Sequence, residues 1–301
     1  MSLMANTLPE PLLDVHGDIL GRVIFGRCGK HEPEDLKDLA EGYLASFHHS
    51  GQICGQFMGC VWTKGELNAH VWLSAPSAYA RRYHSKWGIA DLKKVREAFG
   101  QEPRWVIISD DSAGKRAATW RKAPFLYLVT NSLDWEPPVY RGDNGQRVPS
   151  PVLPLSDEDR AALYFWQGSY RDYDNIWLGS GTLEIPAYRE LAEPDSELTK
   201  LGRELCRKIE KATHVPTYYY LDRYWGRTKG EEKRVCPSCG RKWRTKQPTE
   251  TRDRFWQFEF QCGKCRLVSH LAVCSDDARH ASIGEYRPSG KARGQRKTHQ
   301  G

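Results

Sequence analysis

The chain has 301 residues, 28% of them charged and 39% apolar, a balance that fits a folded globular protein of about two domains and excludes a disordered one. No apolar run is long enough to span a bilayer, and MSLMANTLPEPLLDVHGD carries no cationic stretch ahead of an apolar one, so a cytoplasmic protein with no membrane partner is expected. The net charge of +7 is uneven: residues 227–301 hold 18 Lys+Arg against 8 Asp+Glu, net +10, while 1–226 hold 27 against 30, net −3.

In chain order, the apolar run GDILGRVIFGRCG reads as a strand. A helix should follow, because Leu36, Leu39, Ala40, Tyr43, Leu44 and Phe47 recur at the three-and-four spacing of one buried face, and Pro33 suits a first turn. QICGQFMGCVW and LNAHVWLSA read as strands joined in a hairpin around Lys64-Gly65. A second helix has Leu92, Val95 and Phe99 on one face and stops at Gly100; RWVIISDD and APFLYLVTNSL are further strands. The order β-α-β-β-α-β predicts an α+β fold whose N-terminal part, 1–150, is a ferredoxin-like sandwich.

Trp135–Pro154 is rich in proline and glycine and reads as an irregular connection. The segment 151–226 should be helical, with one helix capped by Ser156 and burying Leu163, Trp166 and Tyr170. A second, from about Ser196, should bury Leu198, Leu201, Leu205 and Ile209, and the Tyr-rich strand PTYYYLDRYWG packs on them. Residues 227–275 are expected to form a C-terminal β zinc ribbon, and 276–301 a disordered basic tail.

The strongest signal is VCPSCGRKW at 235–243 and FQCGKCRLV at 260–268. Cys236, Cys239, Cys262 and Cys265 form two C-x-x-C turns with 22 residues between the inner pair, and such turns present two sulfurs each to one tetrahedral ion. One structural Zn2+ is expected, with no open position for a substrate. Pro237 stiffens the first turn, and Gly240 and Gly263 let the backbone fold back toward the metal. The other five cysteines, Cys28, Cys54, Cys60, Cys206 and Cys274, are scattered and read as reduced thiols.

Between the cysteine pairs stand Arg241, Lys242, Trp243, Arg244, Lys246, Arg252 and Arg254, a candidate nucleic-acid surface: cations neutralise phosphates and exposed rings stack on bases. A competing role for the alternate residues Trp256, Phe258 and Phe260 is the packed face of the ribbon against the main body. DDSAGKRA lacks the glycine and Ser/Thr of a phosphate loop and reads as a polar turn. Asp172, Asp174 and His70 are candidate acid–base groups, outweighed by solvated or structural roles, and no nucleophile, base and orienting group stand together. A non-enzymatic protein is expected.

ELTKLGRELCRKIEKATHVPTYYYLDRYWGR, followed by CPSCGRKW and CGKCRLVS, resembles a bacterial family of uncharacterised proteins described as zinc-ribbon-containing candidate nucleic-acid binders. The resemblance is strongest over 197–273 and implies that the four cysteines above are the family's ribbon cysteines, and that ribbon and N-terminal part form one architecture. Two functions follow from these readings: a cytoplasmic nucleic-acid binder, or a protein-binding module such as an immunity protein that neutralises a bacterial toxin, with zinc purely structural.

Overall fold

The computed structural model describes residues 19–55, 59–109, 119–249, 258–275 and 277–288. The first layer is built from β1 (Ile19–Arg27), α1 (Pro33–His49), β2 (Ile53–Cys54), β3 (Val61–Thr63), β4 (Glu66–Leu73), α2 (Lys86–Phe99) and β5 (Arg104–Ser109). Its sheet runs β2-β4-β1-β5, with β3 also on β4, and every neighbouring pair is antiparallel. The two residues between β3 and β4, Lys64 and Gly65, both have positive φ, as a tight hairpin of this hand requires. Leu36, Ala40, Tyr43, Leu44 and Phe47 of α1 are fully buried with Val95 of α2, against Val23, Phe25 and Leu67 of the sheet. The four large side chains that α1 contributes stabilise this core by roughly 6–12 kcal/mol.

The second layer begins earlier than position 150. β6 (Leu126–Leu128) and β7 (Val139–Arg141) leave the first sheet entirely and join strands that lie far along the chain. After them come α3 (Asp157–Gly179), α4 (Glu184–Ala192), α5 (Glu197–Thr213), β8 (Thr217–Tyr220), β9 (Trp225–Gly226), β10 (Arg244–Thr249), β11 (Phe258–Cys262), β12 (Leu267–Ser269), β13 (Val273–Cys274) and α6 (Ala278–Ala281). The six-stranded sheet runs β10-β11-β12-β8-β6-β7; β8 is parallel to both β6 and β12, and the other pairs are antiparallel. The strands that carry the cysteines therefore continue the main sheet rather than forming a separate module.

Ser156 and Ser196 cap α3 and α5 as expected, each hydroxyl accepting an amide N–H at 3.1 Å, from Asp159 and Thr199. α4 lies between them, a third helix that sequence reading omits. On α5 the buried positions are Leu198, Gly202, Leu205, Cys206 and Ile209, whereas Leu201 is 54% exposed. Gly202 takes that place because a Cβ there would meet the Tyr219 ring at 2.2 Å, so only glycine lets helix and strand approach this closely. Tyr219 faces the helices, while Tyr218 and Tyr220, alternate in β8, join Tyr127, Tyr140, Phe258 and Val268 on the other face. The segment after 276 is not a tail throughout: Ala281 and Ile283 are buried, Ile283 beside Tyr188 and Ala192, and Glu285 pairs with Arg223 and Arg227. Residues 289–301 lie outside the described residues.

Candidate metal centre and its surroundings

The two C-x-x-C turns sit at the end of the six-stranded sheet. Cys262 ends β11 and is paired in register with Leu267, the first residue of β12, so the second turn is the hairpin between those strands. The first turn is closed by two backbone bonds, Cys236 N–H to Arg241 O at 2.9 Å and Gly240 N–H to Cys236 O at 2.8 Å. In each turn the residue after the second cysteine is left-handed: Gly240 at φ 70° and Arg266 at φ 52°. In the second turn that role falls to Arg266 and not to Gly263. The strain of a non-glycine residue there is offset by anchoring, since its guanidinium donates to both carboxylate oxygens of Glu210 on α5, at 2.8 and 3.1 Å.

All four Sγ atoms lie within 4.8 Å of one another, and Cys239 Sγ is 3.7 Å from Cys262 Sγ. A tetrahedral ion with sulfurs at ~2.3 Å separates those sulfurs by about 3.8 Å, so the four thiols can hold a metal ion. The separation is far beyond a disulfide bond, at about 2.05 Å. Cys236 and Cys262 are buried, whereas Cys239 and Cys265 are partly exposed. Burial pushes the Cys236 and Cys265 thiols up from their ordinary values. At Cys239 burial works against the thiolate, but the Arg241 amide and the neighbouring thiols outweigh it and bring the thiol down to about 7. A metal ion held by all four sulfurs would have no position left for substrate, and its contribution would be structural.

A buried ion network stands beside the turns. Arg234, two residues before Cys236, donates to Ser269 Oγ at 2.6 Å and to His270 O at 2.7 Å, and lies 3.0 Å from the Glu231 carboxylate. Its guanidinium sits 4.4 Å from the Phe260 ring centroid and 5.1 Å from that of Trp243. Next to it, Tyr220 OH and His270 Nδ1 are 2.9 Å apart, and the Asp222 carboxylate is 3.8 Å from His270. Burial, then the Asp174 carboxylate, raises Asp222 to about 7, and burial, then Arg234, lowers His270 to about 4. Nothing in the local sequence marks Arg234, Glu231 or Asp222, whose types read as solvated charge.

Arg241, Lys242, Arg244 and Lys246 are exposed, with no ion pair among the described residues, while Trp243 is 3% exposed and donates its indole N–H to Arg234 O at 3.1 Å. Trp243 lies just before β10 with its ring buried, so it offers no face to a base. Phe258 and Phe260 are both fully buried but in different clusters, Phe258 with Tyr218 and Tyr220 and Phe260 with Trp243 and Tyr219, so they do not make the single packed face expected. Trp256, Arg252 and Arg254 lie outside the described residues, as does 110–117. Asp174 is buried in mid-helix and accepts Ser132 N–H at 2.7 Å; Asp172 is exposed on the same helix, and His70 is exposed on β4 of the other sheet. No constellation of acid, base and nucleophile forms from these three.

A family model described as a domain of unknown function (DUF2310) matches residues 121–222, which span β6 to the end of β8 and the helices between. A second, a domain of unknown function (DUF8594), matches 226–275, the segment with the cysteines. Two uncharacterized proteins of Haemophilus influenzae are each 34% identical to the chain over 169 residues, 55% of its length. The match covers 62% of one relative and 80% of the other. No solved structure matches significantly.

Proposed function

Because the chain belongs to the bacterial DUF2310 family, whose relatives carry no assigned activity, its function must be read from its own geometry, and we propose a non-enzymatic, zinc-stapled nucleic-acid binder. The carrying observation is the row Arg241, Lys242, Arg244 and Lys246: four exposed cations with no ion-pair partner among the described residues, held on the segment that the cysteines fix. Zinc is the reading that four cysteine sulfurs within 4.8 Å of one another support, as a zinc ribbon merged into the sheet. The strand order with β1 and β4 central supports a ferredoxin-like description of the first layer. Reduced, scattered thiols support a cytoplasmic location.

Contacts of this kind are to phosphates, so they carry little sequence preference and are salt-dependent. Fluorescence anisotropy with labelled single- and double-stranded DNA and RNA should show binding at low salt that weakens with a log–log slope of about −0.7 to −0.9 per phosphate contact. Neutralising Arg241 and Arg244 together should shallow that slope by about 1.5–2. Absence of binding to all four probes at low salt refutes this function. A second reading, a protein-binding module such as an immunity protein, is favoured by large apolar side chains left exposed on the helical layer: Phe165 at 57%, Leu178 at 63% and Leu183 at 52%. Nuclease-resistant co-purification of one protein in fixed ratio would support it over the first.

A further inference from the structure

Where the two layers meet, the end of α1 and β2 face one stripe of α3 across a cleft of about 650 Å3, closed at one end by Trp135. That size lies within the range of small-molecule sites. Three features of the α3 stripe concern its contents. Gly168 stands in the middle of the helix and lines the cleft, yet a Cβ built there meets nothing within 4 Å. A helix-interior glycine is less favourable than alanine, and no close approach within the protein requires this one, in contrast to Gly202. Its lack of a side chain keeps a flat floor open.

One turn to either side are Tyr164 and Arg171. The Arg171 guanidinium lies 2.9 Å from the centroid of the Trp135 ring, and its Nε is buried without a hydrogen-bond acceptor. Of the other charges at the cleft, Asp172 acts on Arg171 from the next position along the helix, and the remainder are paired or neutral. Arg160 is paired with Asp157 at 2.9 Å, Glu136 with Arg147 at 2.8 Å, and Asp172 is exposed. His48 and His49 are held neutral near pH 7 because burial lowers both. The His49 ring packs 5.1 Å from both Tyr164 and Phe165, which fixes the aromatic wall opposite Trp135. What remains is one half-buried cation, its Nε without an acceptor among the described residues, beside an open floor lined by Tyr164 and Trp135.

We propose that this cleft binds a small planar aromatic anion, its ring lying over Gly168 between Tyr164 and the Arg171–Trp135 pair, and its anionic group accepting from Arg171. Neither the cysteine centre nor the exposed cation row takes part, so this site stands or falls separately from nucleic-acid binding. A nucleoside monophosphate and an aromatic carboxylate share the required chemistry. Calorimetric titration of the full-length protein with adenosine monophosphate, salicylate and inorganic phosphate separates them. The expected result is that one aromatic anion binds with Kd below about 1 mM and at least about tenfold tighter than phosphate. Gly168→Leu, which fills the floor, and Arg171→Met, which keeps bulk and removes charge, should each weaken that binding at least about tenfold without lowering the melting temperature. The inference is overturned if neither aromatic anion binds more tightly than phosphate, or if binding survives both substitutions. Should Arg171→Met melt early, Gly168→Leu decides alone, since leucine favours a helix over glycine.

Discussion

Removing the metal should loosen the cysteine strands without unfolding the protein, and the sizes of the competing terms say why. Zinc binding in small zinc modules contributes about 10–16 kcal/mol, and there it is the whole of folding. Here the same segment also buries Trp243, Phe258, Phe260, Leu267 and Val268, each 3% exposed or less. At ~1.5–3 kcal/mol per side chain this burial contributes roughly 7–15 kcal/mol, comparable to the metal term. β12 further holds backbone bonds to β8, with Tyr219 N–H to Arg266 O and Leu221 N–H to Val268 O both at 2.9 Å. Metal loss therefore frees the turns first.

The assay pairs thiol labelling with metal analysis. Protein purified without chelator should contain about one zinc per chain, as one four-thiolate site requires. In the native state a thiol reagent should react fastest with the exposed Cys28, and stripping the metal should add Cys236, Cys239, Cys262 and Cys265 to the labelled set. Trp243 fluorescence should shift to the red, while amides of β1 and β4, in the other sheet, keep their hydrogen-exchange protection. If the protein carries no metal, or the four thiols label equally fast before and after stripping, the metal-centre assignment is wrong.

Two glycine substitutions should have opposite signs: Gly168→Ala stabilises by about 0.5–1 kcal/mol through helix propensity, whereas Gly202→Ala destabilises by about 1–2 kcal/mol. The difference arises because a Cβ at 202 meets Tyr219 at 2.2 Å and Trp166 at 2.8 Å, and urea melts of both variants check it. Asp222 gives a pH signature. Its folded value of about 7 lies above the ordinary 3.8, so stability that it supports in acid is lost as pH rises from about 4 through 7. The full shift would be worth at most about 4 kcal/mol, and its 24% side-chain exposure reduces that. Asp222→Asn should therefore gain on the wild type between pH 5 and pH 8 in urea midpoints; parallel profiles would remove the argument. His270, lowered to about 4, works in the opposite direction and acts only as pH falls below about 6.5.

Features that rest on local chemistry were legible in the sequence. The C-x-x-C spacing put four sulfurs within 4.8 Å, the Ser156 and Ser196 caps fell in place, and the Lys64-Gly65 turn was fixed by backbone conformation over two residues. What was hidden depends on partners remote in the chain. β6 reads as one more strand of the first layer, but Leu126–Leu128 pairs in parallel with Thr217–Tyr219, a register that no local pattern encodes. Leu201 has the right spacing to be buried and is not, because Gly202 admits the Tyr219 ring instead. α4 is short and contains Pro186, so its helical period is weak against the glycines and serines before it.

Arg234 ties the first cysteine turn to the strands of the second. A buried guanidinium is unfavourable unless each side of it is satisfied. Here Nη2 donates to Ser269 Oγ and the His270 carbonyl, Glu231 lies 3.0 Å from Nε as a counter-charge, and the Phe260 and Trp243 rings lie 4.4 and 5.1 Å away. Nε and Nη1 make no hydrogen bond among the described residues, so the compensation is partial. Those partners come from four parts of the chain: the stretch before the first turn, its exit at Trp243, β11, and the end of β12. One side chain thus joins the entry and exit of the first cysteine turn to the strands of the second. A metal ion held by the four thiols would complete the same closure. Between the two, Trp243 is held inward, and Arg244, the cross-strand partner of Phe260, is exposed with its guanidinium 5.1 Å from that ring's centroid. On the nucleic-acid reading proposed above, a substitution that frees Trp243 should weaken binding in the anisotropy assay by unfixing Arg241, Lys242 and Arg244 beside it, although Trp243 is itself buried.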